Sequence, residues 1–308
     1  MNYEELLLKL TEEDERIVIL TAENRGAMRN LPDKVKERFI DVGIAEQTMV
    51  GISAGLALRG RIPVVHALST FLTMRAFEFI RTDIGIANLP VKLVGAVAGF
   101  LSEANGPTHQ AIEDISLMRG IPRMNIFCPA DEEELISGMK IIIPDPNPWY
   151  IRYNNLKAEI KHSPFQLGKA EVISEGDDVT ILTYGMMLKE VLIAAEILNS
   201  TGKSAGVINL RTLKPIDEEI ILQGAHKSSL LVTVEDHFLT GGLYSILSEI
   251  LVRNNVKADV FPAALTTWFK PSLLPSVLEY EGFTGKAIAE KILQRLDEIK
   301  KSGVWVGK

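Results

Sequence analysis

At 308 residues the chain has room for one large or two medium domains, and 46% hydrophobic against 24% charged residues is ordinary for a soluble globular protein with a sizeable core. Lys and Arg number 33 and Asp and Glu 40; the balance of −7 argues against a general binder of nucleic acid or acidic membranes, though not against a local site for a small anion. A single cysteine, Cys128, excludes an internal disulfide and a cysteine-based zinc site, and within MNIFCPAD it reads as a small buried hydrophobe.

The opening MNYEELLLKL has no basic stretch before its apolar residues, so it does not read as a signal peptide. No apolar run reaches membrane-spanning length, and a cytoplasmic protein is expected. Residues 2–12 have the spacing of an amphipathic helix, and RIVILTAE (16–23) is the first credible strand. A polar connection, NRGAMRNLPDKVKE, leads to a short buried strand at Phe39, Ile40 and Val42, a break at Gly43, and a helix of small and apolar residues. Then come strand IPVVHAL (62–68), helix STFLTMRAFEFIRTDIG, strand VKLVGAVAGF (91–100), a loop entering a helix at LSEANGPTHQAIEDISLMRGI, strand MNIFCPA (124–130), helix DEEELISGMKIII and strand WYIRY (149–153). Such alternation predicts a mainly parallel sheet covered on both faces, a three-layer αβα domain of the α/β class over residues 1–158.

Residues 159–176 are polar and aperiodic, and read as an exposed connection with at most one short strand, KAEVI. The pattern then restarts at VTILTYG and alternates to the closing helix GKAIAEKILQRLDEIK, predicting a second, smaller αβα domain over 177–308.

In parallel sheets ligands sit beyond the carboxyl ends of the strands, which here means the loops holding Glu46, Ser69 to Phe71, and Asn105 to Gln110. Glu46 stands where strand gives way to helix, among Ile44, Ala45, Met49 and Val50 and without a cation nearby in sequence. Burial there would raise its pKa and let it exchange a proton with a bound heterocycle; the plainer reading is an acid that suits the first turn of a helix. Asn105-Gly106-Pro107 enforces a tight turn that delivers His109 to the mouth of a helix, where it is either a loop residue or a partner for a substrate hydroxyl. Phe71 offers an aromatic face to a flat ring; Met74 and Phe77 are further candidates, although their spacing also suits a core stripe.

RFIDVGIAEQTMVGISAGLAL, STF followed by RAFEFIR, and GPTHQAIEDISLMRGIPRMNIFCPAD together resemble the pyrimidine-binding domain of transketolase. VEDHFLTGGL (234–243) resembles part of that enzyme's C-terminal domain, so the resemblance runs along essentially the whole chain. It implies the C-terminal section, or second subunit, of a split thiamine-diphosphate-dependent transketolase, moving a two-carbon ketol unit between sugars. It further implies that Glu46 hydrogen-bonds N1′ of the coenzyme's aminopyrimidine, that Phe71 stacks on that ring, and that His109, Asn105 and Arg152 face the substrate, Arg152 as a phosphate ligand. Glu235, Asp236 and His237 it makes structural, at a strand end before a helix entry. The family's magnesium-diphosphate segment, Gly-Asp-Gly with a later Asn, has no counterpart here; the nearest, EGDDV (175–179), lies in the connection. Mg2+ and diphosphate are therefore expected on a partner chain, the N-terminal transketolase subunit, in an α2β2 assembly.

Two departures bear on substrate. Asn105 stands where family members carry an Asp that reads a hydroxyl, and Val97 where many carry a phosphate-binding His. An unphosphorylated or modified sugar is therefore expected, with Arg25 and Arg29 either replacing part of the clamp or merely solvated. His162 and His226 sit in polar segments and are expected to be solvated. The β subunit of a 2-oxoacid dehydrogenase and a deoxyxylulose-phosphate-synthase-like activity are the alternative enzymes; a non-catalytic scaffold subunit is the alternative of another class.

Overall fold

The structure is a computed structural model that describes residues 1–302, so the last six residues of the expected second domain lie outside it. In the first half, strands β1 (Ile17–Thr21), β2 (Phe39–Asp41), β3 (Ile62–Leu68), β4 (Lys92–Ala96), β5 (Asn125–Phe127) and β6 (Trp149–Arg152) alternate with helices α1 (Tyr3–Glu13), α2 (Leu31–Val35), α3 (Glu46–Leu58), α4 (Phe77–Phe79), α5 (Asp114–Arg119) and α6 (Glu132–Ile142). These strands are all parallel, in the order β5-β6-β4-β3-β1-β2. β1 is buried at every position, which requires helices on both faces of the sheet. Its successive residues serve the two faces: Leu20 clusters with Val65, Met49 of α3 and Ile115 of α5, and Ile19 with Val64, Leu6 of α1 and Met139 of α6. Asn2 and Glu5 close a reciprocal capping box at α1, and Asp131 caps α6 through the Glu134 N–H at 3.0 Å.

STFLTMRAFEFIRTDIG is helical, but not regularly so. Wide π-type turns over Phe71–Arg75 and Ile80–Ile86 flank the short α4, and the Ala76 N–H bonds back five residues to the Phe71 carbonyl at 3.3 Å. Such turns re-aim side chains and recur at functional sites.

The second half contains β7 (Glu171–Ser174), β8 (Val179–Thr183), β9 (Ala205–Asn209), β10 (Thr212–Lys214), β11 (Leu230–Phe238) and β12 (Val260–Leu265), with helices α7 (Met187–Ser200), α8 (Glu218–Lys227), α9 (Leu243–Arg253), α10 (Leu274–Tyr280) and α11 (Gly285–Ser302). Five of these strands form a sheet ordered β12-β11-β8-β9-β7, parallel except for β7. β7 is the short strand expected from KAEVI. β10 leaves this sheet and pairs antiparallel with β5, on the far edge of the first. β10, α2 and α10 have no counterpart among the predicted elements.

Candidate active site

The site is built where β2 and β3 deliver their loops. Gly43, at φ +71°, turns the chain out of β2 in a conformation that favours glycine, and α3 starts at Glu46. Ala45 provides no side-chain cap, so the first acid of the helix, Glu46, is the negative group at its positive end. Its side chain is only 3% exposed, as the sequence suggests, but it is not alone: Arg75 Nη1 lies 2.8 Å from Glu46 Oε2. The expectation of an acid without a cationic partner is thus corrected. The partner comes from 29 residues downstream, delivered by the π-type turn after β3.

Arg75 joins the other candidates into one constellation. Its Cζ stands 4.2 Å from the centroid of Phe71, over the ring, and Phe71 meets His109 edge-to-face at 5.1 Å. Thr70 Oγ1 donates to the His109 carbonyl at 2.7 Å, tying the two loops together, and the His109 Nδ1 lies 2.9 Å from Thr108 Oγ1. Glu46, Phe71 and His109, separated by up to 63 residues, are therefore joined in one chain of contacts in which Arg75 links Glu46 to Phe71 and Phe71 meets His109. Met74 is half-buried, and Phe77 packs against the core, which favours the core-stripe reading for Phe77. Asn105 is exposed at the end of the turn before Gly106.

Arg152 is not at the mouth of the site. Its guanidinium is buried, with Nε and Nη2 on Asp114 at 2.8 and 2.6 Å and Nη1 on Asp236 at 2.6 Å, and it lies against the Tyr184 ring. A cation whose three nitrogens already serve two buried carboxylates is a structural tie between the halves of the chain, and the phosphate-ligand expectation is corrected accordingly. Burial pushes the Asp114 carboxyl up, but Arg152 outweighs it and holds Asp114 below the ordinary carboxylate range.

The acidic motif of β11 is buried and hydrogen-bonded within the fold. Glu235 accepts from the Leu243 and Tyr244 N–H groups at 2.6 and 2.9 Å, at the start of α9. His237 sits between Ser116 N, 3.3 Å from Nε2, and the Phe238 carbonyl, 2.7 Å from Nδ1. Burial lowers the pKa of His237 to about 4, so Nε2 is the acceptor and Nδ1 the donor.

His162 overturns its expectation of solvation: its side chain is 6% exposed, with Nε2 2.6 Å from Asp131 and Nδ1 2.7 Å from Glu171. Burial alone would lower its pKa, but these carboxylates raise it to about 10. With Glu134 and Glu171 it forms the one potential metal-ligand cluster among the described residues, but Arg211 ion-pairs with both acids at 2.7 Å. His226 is exposed, Arg25 is paired with Asp41 at 2.5 Å, and Cys128 is buried.

A separate cavity of about 290 Å³ opens beyond β1, β3, β4 and β6, lined among others by Asn24, His66, Val97, Leu101, Tyr153 and Asn155. Glu46, Phe71 and His109 do not line it. Val97 holds φ +62°, a left-handed conformation that costs a β-branched residue about 1–3 kcal/mol and persists only where the surrounding structure enforces it.

Comparisons with known proteins place both halves of the chain in one family. Residues 1–159 match the family model of the transketolase pyrimidine-binding domain, and residues 168–288 that of the transketolase C-terminal domain. The chain is 39% identical over 257 residues to the 6-deoxy-6-sulfo-D-fructose transketolase subunit of Clostridium sp. (strain MSTE9), covering 82% of this chain and 80% of that one. It is 33% identical over 302 residues to the putative transketolase C-terminal section of Methanocaldococcus jannaschii, covering 96% and 95%. A 1-deoxy-D-xylulose-5-phosphate synthase from Caldanaerobacter subterraneus is 38% identical, but this chain spans only 48% of it. Among solved structures, a split-gene transketolase described as an inactive β4 tetramer superposes with a TM-score of 0.87 at 34% identity, over 96% of this chain and 97% of that one. The chain belongs to the transketolase family, as a counterpart of the section of split transketolases that carries the pyrimidine-binding and C-terminal domains.

Proposed function

We propose that this chain binds the aminopyrimidine half of thiamine diphosphate and carries out two-carbon ketol transfer from a ketose donor to an aldose acceptor together with a diphosphate-binding partner. The observation that carries this reading is the adjacency of Glu46, Arg75, Phe71 and His109. A planar N–C–N cation, the Arg75 guanidinium, already donates to Glu46 and lies over Phe71, so the pair suits a flat, donor-bearing nitrogen heterocycle. When bound, thiamine diphosphate supplies the nucleophilic carbon and electron sink for ketol transfer. With the coenzyme bound, Glu46 would hold a proton at the pyrimidine N1′ and Phe71 would pack on the ring, in the place that Arg75 now takes against both residues. His109, edge-to-face with Phe71, faces the substrate hydroxyls together with Asn105.

Diphosphate and Mg2+ fall to the partner, because the chain has no Gly-Asp-Gly segment; the assembly is α2β2 and its location the cytoplasm. Among the described residues no helix is long and apolar enough to cross a membrane. The cavity beside Val97 takes the sugar's far end. None of its lining residues is Lys or Arg, and Arg152 is committed elsewhere, so an unphosphorylated polyol end fits best. The 39% identity to a sulfofructose transketolase subunit favours a second reading, a sugar bearing a sulfonate at that end.

The test mixes the chain with its partner, thiamine diphosphate and Mg2+, and compares kcat/KM for a ketose, its 6-phosphate and its 6-sulfonate. Ketol transfer with the phosphate disfavoured supports the proposal. Preference for ordinary sugar phosphates would remove the substrate reading, and decarboxylation of a 2-oxoacid in place of ketol transfer would remove the reaction itself.

A further inference from the structure

The second domain has a direct part in the site, through the loop that carries His109. Both ends of that loop are rooted in the second domain's core. Phe100, fully buried, packs its ring 5.4 Å from Phe269 and 4.9 Å from Phe283. Ile112, also fully buried, shares the apolar cluster of Val232, Val234 and Leu265, and its carbonyl accepts from the Phe238 N–H at 3.0 Å.

Between these ends, two polar side chains reach the segment joining β12 to α10. Glu103 breaks the 3-10 turn of Gly99–Asn105 with φ 18° and ψ −93°, and its Oε2 accepts from the Leu274 N–H at 2.7 Å. Gln110 is 1% exposed, and its Nε2 donates to the Phe269 carbonyl at 2.9 Å. Among the described residues that is its one side-chain bond, since its Oε1 has no partner there. The first domain grips the loop through Thr70 Oγ1 on the His109 carbonyl. Adjacent residues thus face opposite ways, Gln110 inward to the second domain and His109 towards Phe71.

We propose that Gln110 and Glu103 are positioning residues for His109, and that the Phe269–Leu274 segment of the second domain is the template that sets where this histidine stands. The proposal rests on the reading of His109 as a substrate-facing residue. A buried glutamine with a single bond has no second partner to restore its place once that bond is lost. Displacement of a reacting group by ~1 Å can cost on the order of a hundredfold in rate.

The experiment uses the full chain with its partner, thiamine diphosphate and Mg2+, and reads kcat, substrate KM and, by fluorescence titration, coenzyme Kd. Gln110→Met keeps length and apolar volume but removes the bond; Glu103→Ala removes the other, and Glu103→Gln keeps an acceptor for Leu274. Gln110→Met and Glu103→Ala are expected to lower kcat about ten- to hundredfold with coenzyme Kd unchanged. Glu103→Gln should return kcat to within about twofold of the parent, because a neutral amide oxygen still accepts that bond. In a His109→Ala background neither loss should appear, because both residues act through the histidine. Losses that multiply with His109→Ala, or a parallel fall in coenzyme affinity, would overturn positioning and leave only general distortion. If His109→Ala itself turns over normally while the complex performs ketol transfer, the substrate-facing reading fails, and the positioning proposal fails with it.

Discussion

Replacing Arg152 with Met distinguishes the two roles open to an arginine at the end of β6. Methionine keeps much of the apolar stem but removes the bonds at 2.8 and 2.6 Å to Asp114 and at 2.6 Å to Asp236, stranding carboxylates that are 0% and 2% exposed. Removing one partner of a buried ion pair costs about 3–5 kcal/mol, because the surviving charge has neither water nor a counterion. Against a total stability of about 5–15 kcal/mol for a typical native protein, that is about a fifth or more. With a urea m-value of about 3 kcal/mol/M, the unfolding midpoint of the variant should fall by about 1–2 M. The pH trend should also reverse. In the parent the depressed Asp114 contributes stability above its unfolded pKa that is lost on acidification; in the variant stranded acids are relieved by protonation, so the gap between the two proteins narrows as pH falls towards 4. An unchanged midpoint, with a rise in KM confined to phosphorylated sugars, would refute the reasoning and return Arg152 to the substrate.

Glu46→Gln should lower kcat of the reconstituted enzyme about 10²- to 10⁴-fold with an unchanged circular dichroism spectrum, since an amide cannot hold and return a proton; normal turnover would take Glu46 out of the mechanism. Arg75→Met should destabilise the free chain by only about 1 kcal/mol, the discounted worth of a pair whose arginine is 42% exposed, while tightening coenzyme binding several-fold because no guanidinium need be displaced. Weaker coenzyme binding in that variant would show that Arg75 stays in the loaded site. His162, with its pKa raised to about 10 in the fold, contributes stability that is complete below about pH 6.5 and lost as pH rises through 10. In His162→Ala the fall of the urea midpoint across that window should be smaller than in the parent, and an equal slope in both proteins would assign it to other groups.

The alternation of strand and helix is legible in the sequence because the buried strands are unbroken apolar runs: IPVVHAL corresponds residue for residue to β3. β10 escapes because three residues carry no period and its partner strand lies about 85 residues earlier in the chain. Glu46, Phe71 and His109 were legible as parts of motifs, and the fold brings them together. Arg75 was not, since its direction depends on a π-type turn that helical spacing does not encode. Arg152 reads as a phosphate ligand at a strand end and His162 as solvated in a polar segment, because neither sequence context shows the acids that the fold brings from distant elements, Asp114 and Asp236 to one, Asp131 and Glu171 to the other.

The crossing of β10 into the first sheet has a practical consequence for dissecting this polypeptide. A fragment ending near residue 176 would lose the strand that shields β5, leaving a bare row of peptide groups ready to recruit another copy and drive precipitation. A fragment beginning there would carry β10 with nothing to lie against. The two units should therefore be expressed, transplanted or fused as one cassette, and junctions for chimaeras belong in exposed connections outside the pair.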